Sequence, residues 1–256
     1  MKEIVEMNCE ATGHFAHTPE PLPENLLETS AIIRESGVDV GFVVDPDVDR
    51  LAIISEDGSM FNEEYSLVSI ADYVLSQTPG NTVSNLSSSR ALRDITEKHN
   101  GTYSAAAVGE VNVVAKMKET NAVIGGEGNG GIIYPASHYG RDSLVGVGLF
   151  LSLLAKSGMK CSKLRKTYPD YFISKNKIEL TPEINVDGIL VQMKEKYQHE
   201  QVTDIDGVKI DFADRWVHLR KSNTEPIIRI YAEAPSMDEA DKLAQTIIRD
   251  IRSLIA

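Results

Sequence analysis

Three aspartates alternate in the stretch Gly41-Phe42-Val43-Val44-Asp45-Pro46-Asp47-Val48-Asp49-Arg50-Leu51-Ala52-Ile53-Ile54-Ser55, between two apolar, β-branched runs. Alternation in a tight turn lets Asp45, Asp47 and Asp49 converge, and converging carboxylates resist ionising together unless a cation lies among them. Oxygen donors favour Mg²⁺ or Ca²⁺ over zinc. Three protein oxygens suit Mg²⁺, which keeps places for water or a substrate phosphate. Arg50 would stand beside the ion and grip that phosphate. The plainer reading is an acidic surface hairpin. An EF-hand loop counted from Asp45 reaches Glu56 at its twelfth position, but its sixth is Arg50 where glycine is needed. A phosphatase with Asp45 as nucleophile stays open, since it too places D-x-D after an apolar strand.

Two further loops carry chemistry. Gly125-Gly126-Glu127-Gly128-Asn129-Gly130-Gly131 has five glycines in seven positions, so a ligand can approach the backbone closely and only Glu127 and Asn129 can read it. A carboxylate beside an amide suits paired sugar hydroxyls. A plain flexible hairpin is an equal alternative. Arg220-Lys221-Ser222-Asn223-Thr224-Glu225-Pro226, followed by Arg229, offers hydroxyls, an amide and cations between two strands, a donor-rich cup for a phosphate. Ordinary turn chemistry would also use Ser-Asn-Thr.

These loops need a scaffold, and 256 residues with 42% apolar and 25% charged content are enough for more than one core. A net charge of −12 makes nucleic acid an unexpected partner and confines any phosphate site to a local basic pocket. Cys9 and Cys161 lie far apart without metal-ligand spacing, as expected of reduced thiols. The apolar run Val145 to Ala155 is too short to span a bilayer, and acidic Glu3 and Glu6 stand where a signal peptide would be basic, so a cytoplasmic location is expected.

Along the chain, Met1 to Asn8 reads as a strand and Pro23 to Gly37 as a helix closed by Gly37, feeding the acidic hairpin. Asn62 to Gln77 is helical. The Thr78-Pro79-Gly80 break marks a boundary, giving expected domains 1–79, 80–170 and 171–256. The middle domain alternates strand and helix: 81–86, 88–99, 102–107, 111–119 and 121–125, then an apolar helix over 142–156 with Asp142 as N-cap. Beyond Tyr171 adjacent strands predominate, with helices at 185–198 and 236–254. The fold class is therefore α/β, an incomplete α/β unit and a complete one, followed by an α+β domain with an antiparallel sheet.

The set Asp45-Pro46-Asp47-Val48-Asp49-Arg50, Val108-Gly109-Glu110, Gly126-Glu127-Gly128-Asn129-Gly130-Gly131 and Arg220-Lys221-Ser222-Asn223-Thr224-Glu225-Pro226, in that order, closely resembles the α-D-phosphohexomutase family. So do the upstream Gly13-His14-Phe15 and Pro19-Glu20-Pro21. That family comprises phosphoglucomutase, phosphomannomutase and phosphoglucosamine mutase, isomerases with four domains around a cleft. The resemblance implies the second half of domain 2 and all of domains 3 and 4. It further implies Mg²⁺ on Asp45, Asp47 and Asp49, a catalytic Arg50 near the transferring phosphoryl group, and Glu127 and Asn129 on sugar hydroxyls. Arg220, Ser222, Asn223 and Thr224 would hold the non-reacting phosphate of a phosphorylated hexose. Members pass a phosphoryl group from a phosphoserine to the sugar and take one back after a bisphosphorylated intermediate turns over in the cleft.

Two departures matter. The serine loop, of Thr-Ala-Ser-His-Asn-Pro type, has no counterpart; Ala136-Ser137-His138-Tyr139 imitates its core but lacks Asn-Pro. Gly131 stands where some members place a histidine. The resemblance thus implies a phosphohexomutase portion that does not turn over alone, with room for a separate chain to supply the serine. A non-catalytic phosphosugar-binding fragment is the alternative.

Overall fold

The structure, a computed structural model, describes residues 3–181, 184–222 and 226–255. Residues 3–8, expected as strand, form none, and they are mostly exposed. Among the described residues no neighbouring strand lies beside them to accept their backbone hydrogen bonds, and an unpaired strand has nothing to hold it extended.

Helix α1 (Leu27–Ser36) ends on Gly37 at φ 68°, a left-handed cap that only glycine adopts without cost. It leads into the antiparallel hairpin of β1 (Val40–Val44) and β2 (Leu51–Ser55), registered Val44↔Leu51. All five β2 residues are buried. Alternation sends Ala52 and Ile54 onto Leu26 and Ile33 beside α1, and Leu51 and Ile53 into the large core of the next unit. Burying Leu51 and Ile53 contributes roughly 1.5–3 kcal/mol each, which fixes the acidic turn on the second unit.

Helix α2 (Glu63–Gln77) is capped by Asn62, whose side chain accepts the Glu64 amide. It precedes the Thr78-Pro79-Gly80 break, yet its buried face lies in the second unit's core beside Leu92, Ile124 and Phe150. The second unit continues with β3 (Asn81–Asn85), α3 (Ala91–Lys98), β4 (Tyr103–Ala106), α4 (Glu110–Thr120), β5 (Ala122–Glu127), β6 (Gly131–Ile133) and α5 (Ser143–Ser157). The sheet order is β4-β3-β5-β6, parallel except for the last pair. Asp142 caps α5 through the Val145 amide, as expected.

A short α6 (Cys161–Arg165) leads to the C-terminal unit: β7 (Phe172–Glu179), α7 (Val186–Lys196), β8 (Gln201–Thr203), β9 (Val208–Asp211), β10 (Trp216–Lys221), β11 (Ile227–Ala234) and α8 (Met237–Ile255). Its five strands form an antiparallel sheet in the order β7-β11-β10-β9-β8. The inward face, with Ile210, Leu219 and Ile230, packs with Ile247 and Ile251 of α8.

Candidate active site

The turn between β1 and β2 brings the three aspartates together: one carboxylate oxygen from each of Asp45, Asp47 and Asp49 lies within 4.8 Å of the others. Asp45 is buried, and its Oδ1 accepts the amides of Asp49 (3.0 Å) and Arg50 (2.9 Å). Val48 makes the turn at φ 60°, an uncommon conformation for a β-branched residue and a place where backbone strain is stored. Its carbonyl accepts the Ser143 amide at 3.1 Å, and Leu51 N donates to Gly130 O at 3.1 Å, so the turn is pinned to α5 and to the glycine-rich hairpin.

Burial drives both Asp45 and Asp49 upward in pKa. For Asp45 the hydrogen bonds from the Arg50 and Asp49 amides outweigh it, and the carboxyl ends below its ordinary value. For Asp49 burial prevails over the attraction of Arg141, with Asp45 and Asp47 adding repulsion, and its carboxyl ends above. The opposite shifts of Asp45 and Asp49 are what a cation among the carboxylates would relieve. The residues fit one: all donors are oxygens, and Asp49 Oδ1 is buried without a hydrogen-bond partner among the described residues. Arg50 is held at the rim by Glu20 (2.8 Å) and faces Asp45 Oδ2 at 3.6 Å, so the upstream Pro19-Glu20-Pro21 segment reaches the site.

The glycine-rich stretch is a tight hairpin with Glu127 paired to Gly131, and β5 runs two residues further than expected, through Glu127. Glu127 is buried. Its Oε1 accepts Asn85 Nδ2 (2.8 Å) and the Gly109 amide (3.0 Å), and its Oε2 meets Arg141 Nη1 at 3.0 Å. Asn129 is half-buried and accepts the Gly131 amide at 3.2 Å. The expected phosphate residues divide. Arg220, near the end of β10, pairs with Asp206 at 3.0 Å and sits directly across from Arg229 in register. Ser222 is buried, with its amide on Ile227 O. Asn223 and Thr224 lie outside the described residues. Among the described residues, Ala136 to Tyr139 form an exposed stretch after β6, where His138 pairs with Asp142 at 2.9 Å.

Sequence reasoning missed the residues that join these loops. Arg141 touches Asp49, Glu127 and Glu110. Asp206 accepts the Val108 amide at 2.9 Å while pairing with Arg220. A polar chain thus runs from Asp49 through Arg141 and Glu127 to Gly109, and from its neighbour Val108 through Asp206 to Arg220. His218 links the same two units, with Nδ1 2.9 Å from Ser87 Oγ and Nε2 2.7 Å from Asp206 O. A carbonyl only accepts, so Nε2 carries the proton and Nδ1 receives the Ser87 hydroxyl. Burial pushes this imidazole down to about 4. At the N-terminus of α3, Glu64 of the second unit accepts the Ser89 amide (2.8 Å) and Glu233 of the C-terminal unit accepts the Arg90 amide (3.0 Å). Burial raises the pKa of both acids. The available signal was Arg141 standing directly before Asp142, the N-cap of α5.

Descriptions of the phosphoglucomutase/phosphomannomutase family match in three consecutive blocks: alpha/beta/alpha domain II over residues 1–58, alpha/beta/alpha domain III over 62–171 and the C-terminal domain over 181–250. A phosphoglucomutase/phosphomannomutase of Thermococcus kodakarensis is 35% identical over 93% of this chain and 53% of its own length. A phosphoglucosamine/phosphogalactosamine mutase of Sulfurisphaera tokodaii is 32% identical over 94% and 53%. The crystal structure of a phosphoglucomutase/phosphomannomutase family protein from Burkholderia thailandensis superposes with a TM-score of 0.79 at 25% identity, covering 93% of this chain and 52% of that one. The chain spans about half the length of these relatives. No helix among the described residues is long and apolar enough to cross a membrane. Matched by three successive domains over nearly its whole length, the chain belongs to the phosphoglucomutase/phosphomannomutase family.

Proposed function

We propose that these 256 residues form the metal, hydroxyl and phosphate walls of a cytoplasmic phosphohexomutase that interconverts hexose 1- and 6-phosphates through a phosphoserine and a bisphosphorylated sugar. The observation that carries this is the convergence of the three aspartates, with a buried Asp49 oxygen that has no hydrogen bond among the described residues. Asp45, Asp47 and Asp49 would hold Mg²⁺, which when bound supplies charge stabilisation to a transferring phosphoryl group. Arg50 adds a second positive charge on the same side. Glu127 and Asn129 orient sugar hydroxyls. Arg220, Ser222, Asn223 and Thr224 hold the distal phosphate, and the opposed Arg220 and Arg229 favour an anion between them.

Because α2 lies in the second unit's core, we place the first domain division ahead of it rather than at residue 79. These residues contain no serine-carrier loop, so this polypeptide binds without turning over, and a separate chain bearing the serine would restore activity. The phosphatase reading fits less well, since Asp45 is buried with Oδ1 committed to two amides. Calorimetric titration tests the proposal: the chain binds Mg²⁺ and a hexose phosphate, Asp45→Asn abolishes the first, and Arg220→Gln weakens the second. Absence of both, or mutase turnover by the purified polypeptide, would refute it.

A further inference from the structure

Arg141 lies between β6 and α5 on a backbone tied down at successive residues. Its own amide donates to Glu110 Oε1 (3.0 Å), Asp142 N to Ile132 O (2.9 Å) and Ser143 N to Val48 O (3.1 Å). From that fixed base the side chain, only 15% exposed, gives one guanidinium nitrogen to each of three carboxylates, from the β1–β2 turn, β5 and α4. Nη2 meets Asp49 Oδ2, Nη1 meets Glu127 Oε2 at 3.0 Å, and Nε faces Glu110 Oε2 at 3.4 Å. A planar fork is a rigid connector, so displacing one carboxylate rotates the plane and moves the others. The stem crosses the face of Gly131, where an added Cβ would lie 2.4 Å from Arg141 Cδ. Gly131 has no left-handed φ, so the room it leaves serves the arginine rather than a turn.

We propose that Arg141 is a positioning residue that couples the aspartate trio to Glu127, so that a cation on Asp49 is felt at the Gly109 amide. The inference rests on the metal reading proposed above. Arg141 occupies Asp49 Oδ2 and leaves Oδ1 without a hydrogen bond among the described residues, its nearest cation Arg50 Nε at 4.0 Å. This is the arrangement by which outer-shell partners orient metal-binding carboxylates. A cation drawing on Oδ1 weakens the arginine's hold on Asp49. The guanidinium then settles toward Glu127, whose other oxygen carries the Gly109 amide.

Amide NMR of the chain titrated with Mg²⁺ alone reads this directly. The Asp49 and Arg50 amides, which bond Asp45, shift on binding, and the Gly109 amide shifts along the same saturation curve. Arg141→Gln keeps the first pair of shifts and loses the third. Arg141→Lys does not restore it, because one ammonium cannot bridge two carboxylates as a fork does, whereas a mere charge-balancing role would be rescued. Gly131→Ala retains the arginine but drives its stem aside, and reproduces the loss even if Arg141→Gln fails to fold. Asp49 and Arg50 shifts without a Gly109 response in the parent, or a Gly109 response that survives either substitution, would overturn the coupling and leave the metal site standing. No shift at Asp49 and Arg50 would overturn the metal reading and the coupling with it.

Discussion

His218→Gln isolates the contribution of the buried histidine between the second and C-terminal units. The imidazole is 1% exposed, and burial is the main cause of its low pKa, with Lys209 and Arg220 pushing the same way and Asp206 opposing. The folded protein keeps it neutral down to about pH 4, against an ordinary value of 6.5. Below pH 6.5 the unfolded chain takes up a proton that the folded one refuses, so stability is full above that pH and declines as pH falls. The slope is about 1.4 kcal/mol per pH unit, giving roughly 2 kcal/mol by pH 5 and about 3 kcal/mol by pH 4. Glutamine reproduces the donor to Asp206 O and the acceptor for Ser87 but does not titrate. Urea unfolding followed through Trp216, the single tryptophan and fully buried in the C-terminal unit, measures the difference between the two proteins at pH 7.5 and pH 5. Other titrating groups, Glu64 and Glu233 included, are common to both and cancel. The variant should lose about 2 kcal/mol less than the parent over that interval; equal losses would refute the buried-neutral assignment.

Gly130 holds φ +87° with an added Cβ 2.4 Å from Leu51 O, so Gly130→Ala should cost at least about 2 kcal/mol in urea unfolding. Gly148, inside α5 with nothing near an added Cβ, gives the opposite sign: Gly148→Ala should stabilise by about 0.5–1 kcal/mol in the same assay. Glu64 is raised by burial, so it favours folding while protonated and that contribution disappears as pH rises through its folded pKa. Glu64→Gln should therefore show a flatter melting-temperature profile than the parent as pH rises above the ordinary value of 4.5, gaining on the parent as it does.

What could be read locally was read. Apolar spacing located α5 and Asp142 as its cap, and alternation located β9, β10 and β11. The carboxylates of the first hairpin were recognisable because their signal is contained in five consecutive residues. Long-range pairings left no such trace. Arg141 acts on Asp49, 92 positions earlier, and His218 on Ser87, 131 positions earlier. Each is a single charged or polar residue in unremarkable surroundings, and only the fold reveals its partners. Residues 3–8 failed for the converse reason: β-like composition does not make a strand without an adjacent strand to bond. Likewise α2 is a clear helix in sequence, while the sheet it covers is a tertiary choice.

The amides of Val108 and Gly109 are neighbours held by different units, one by Asp206 in the turn between β8 and β9 and one by Glu127 of the glycine hairpin. They act as a fulcrum only two residues long. A tilt of the C-terminal unit that moved Asp206 would be passed through these two peptide groups to Glu127 of the glycine hairpin.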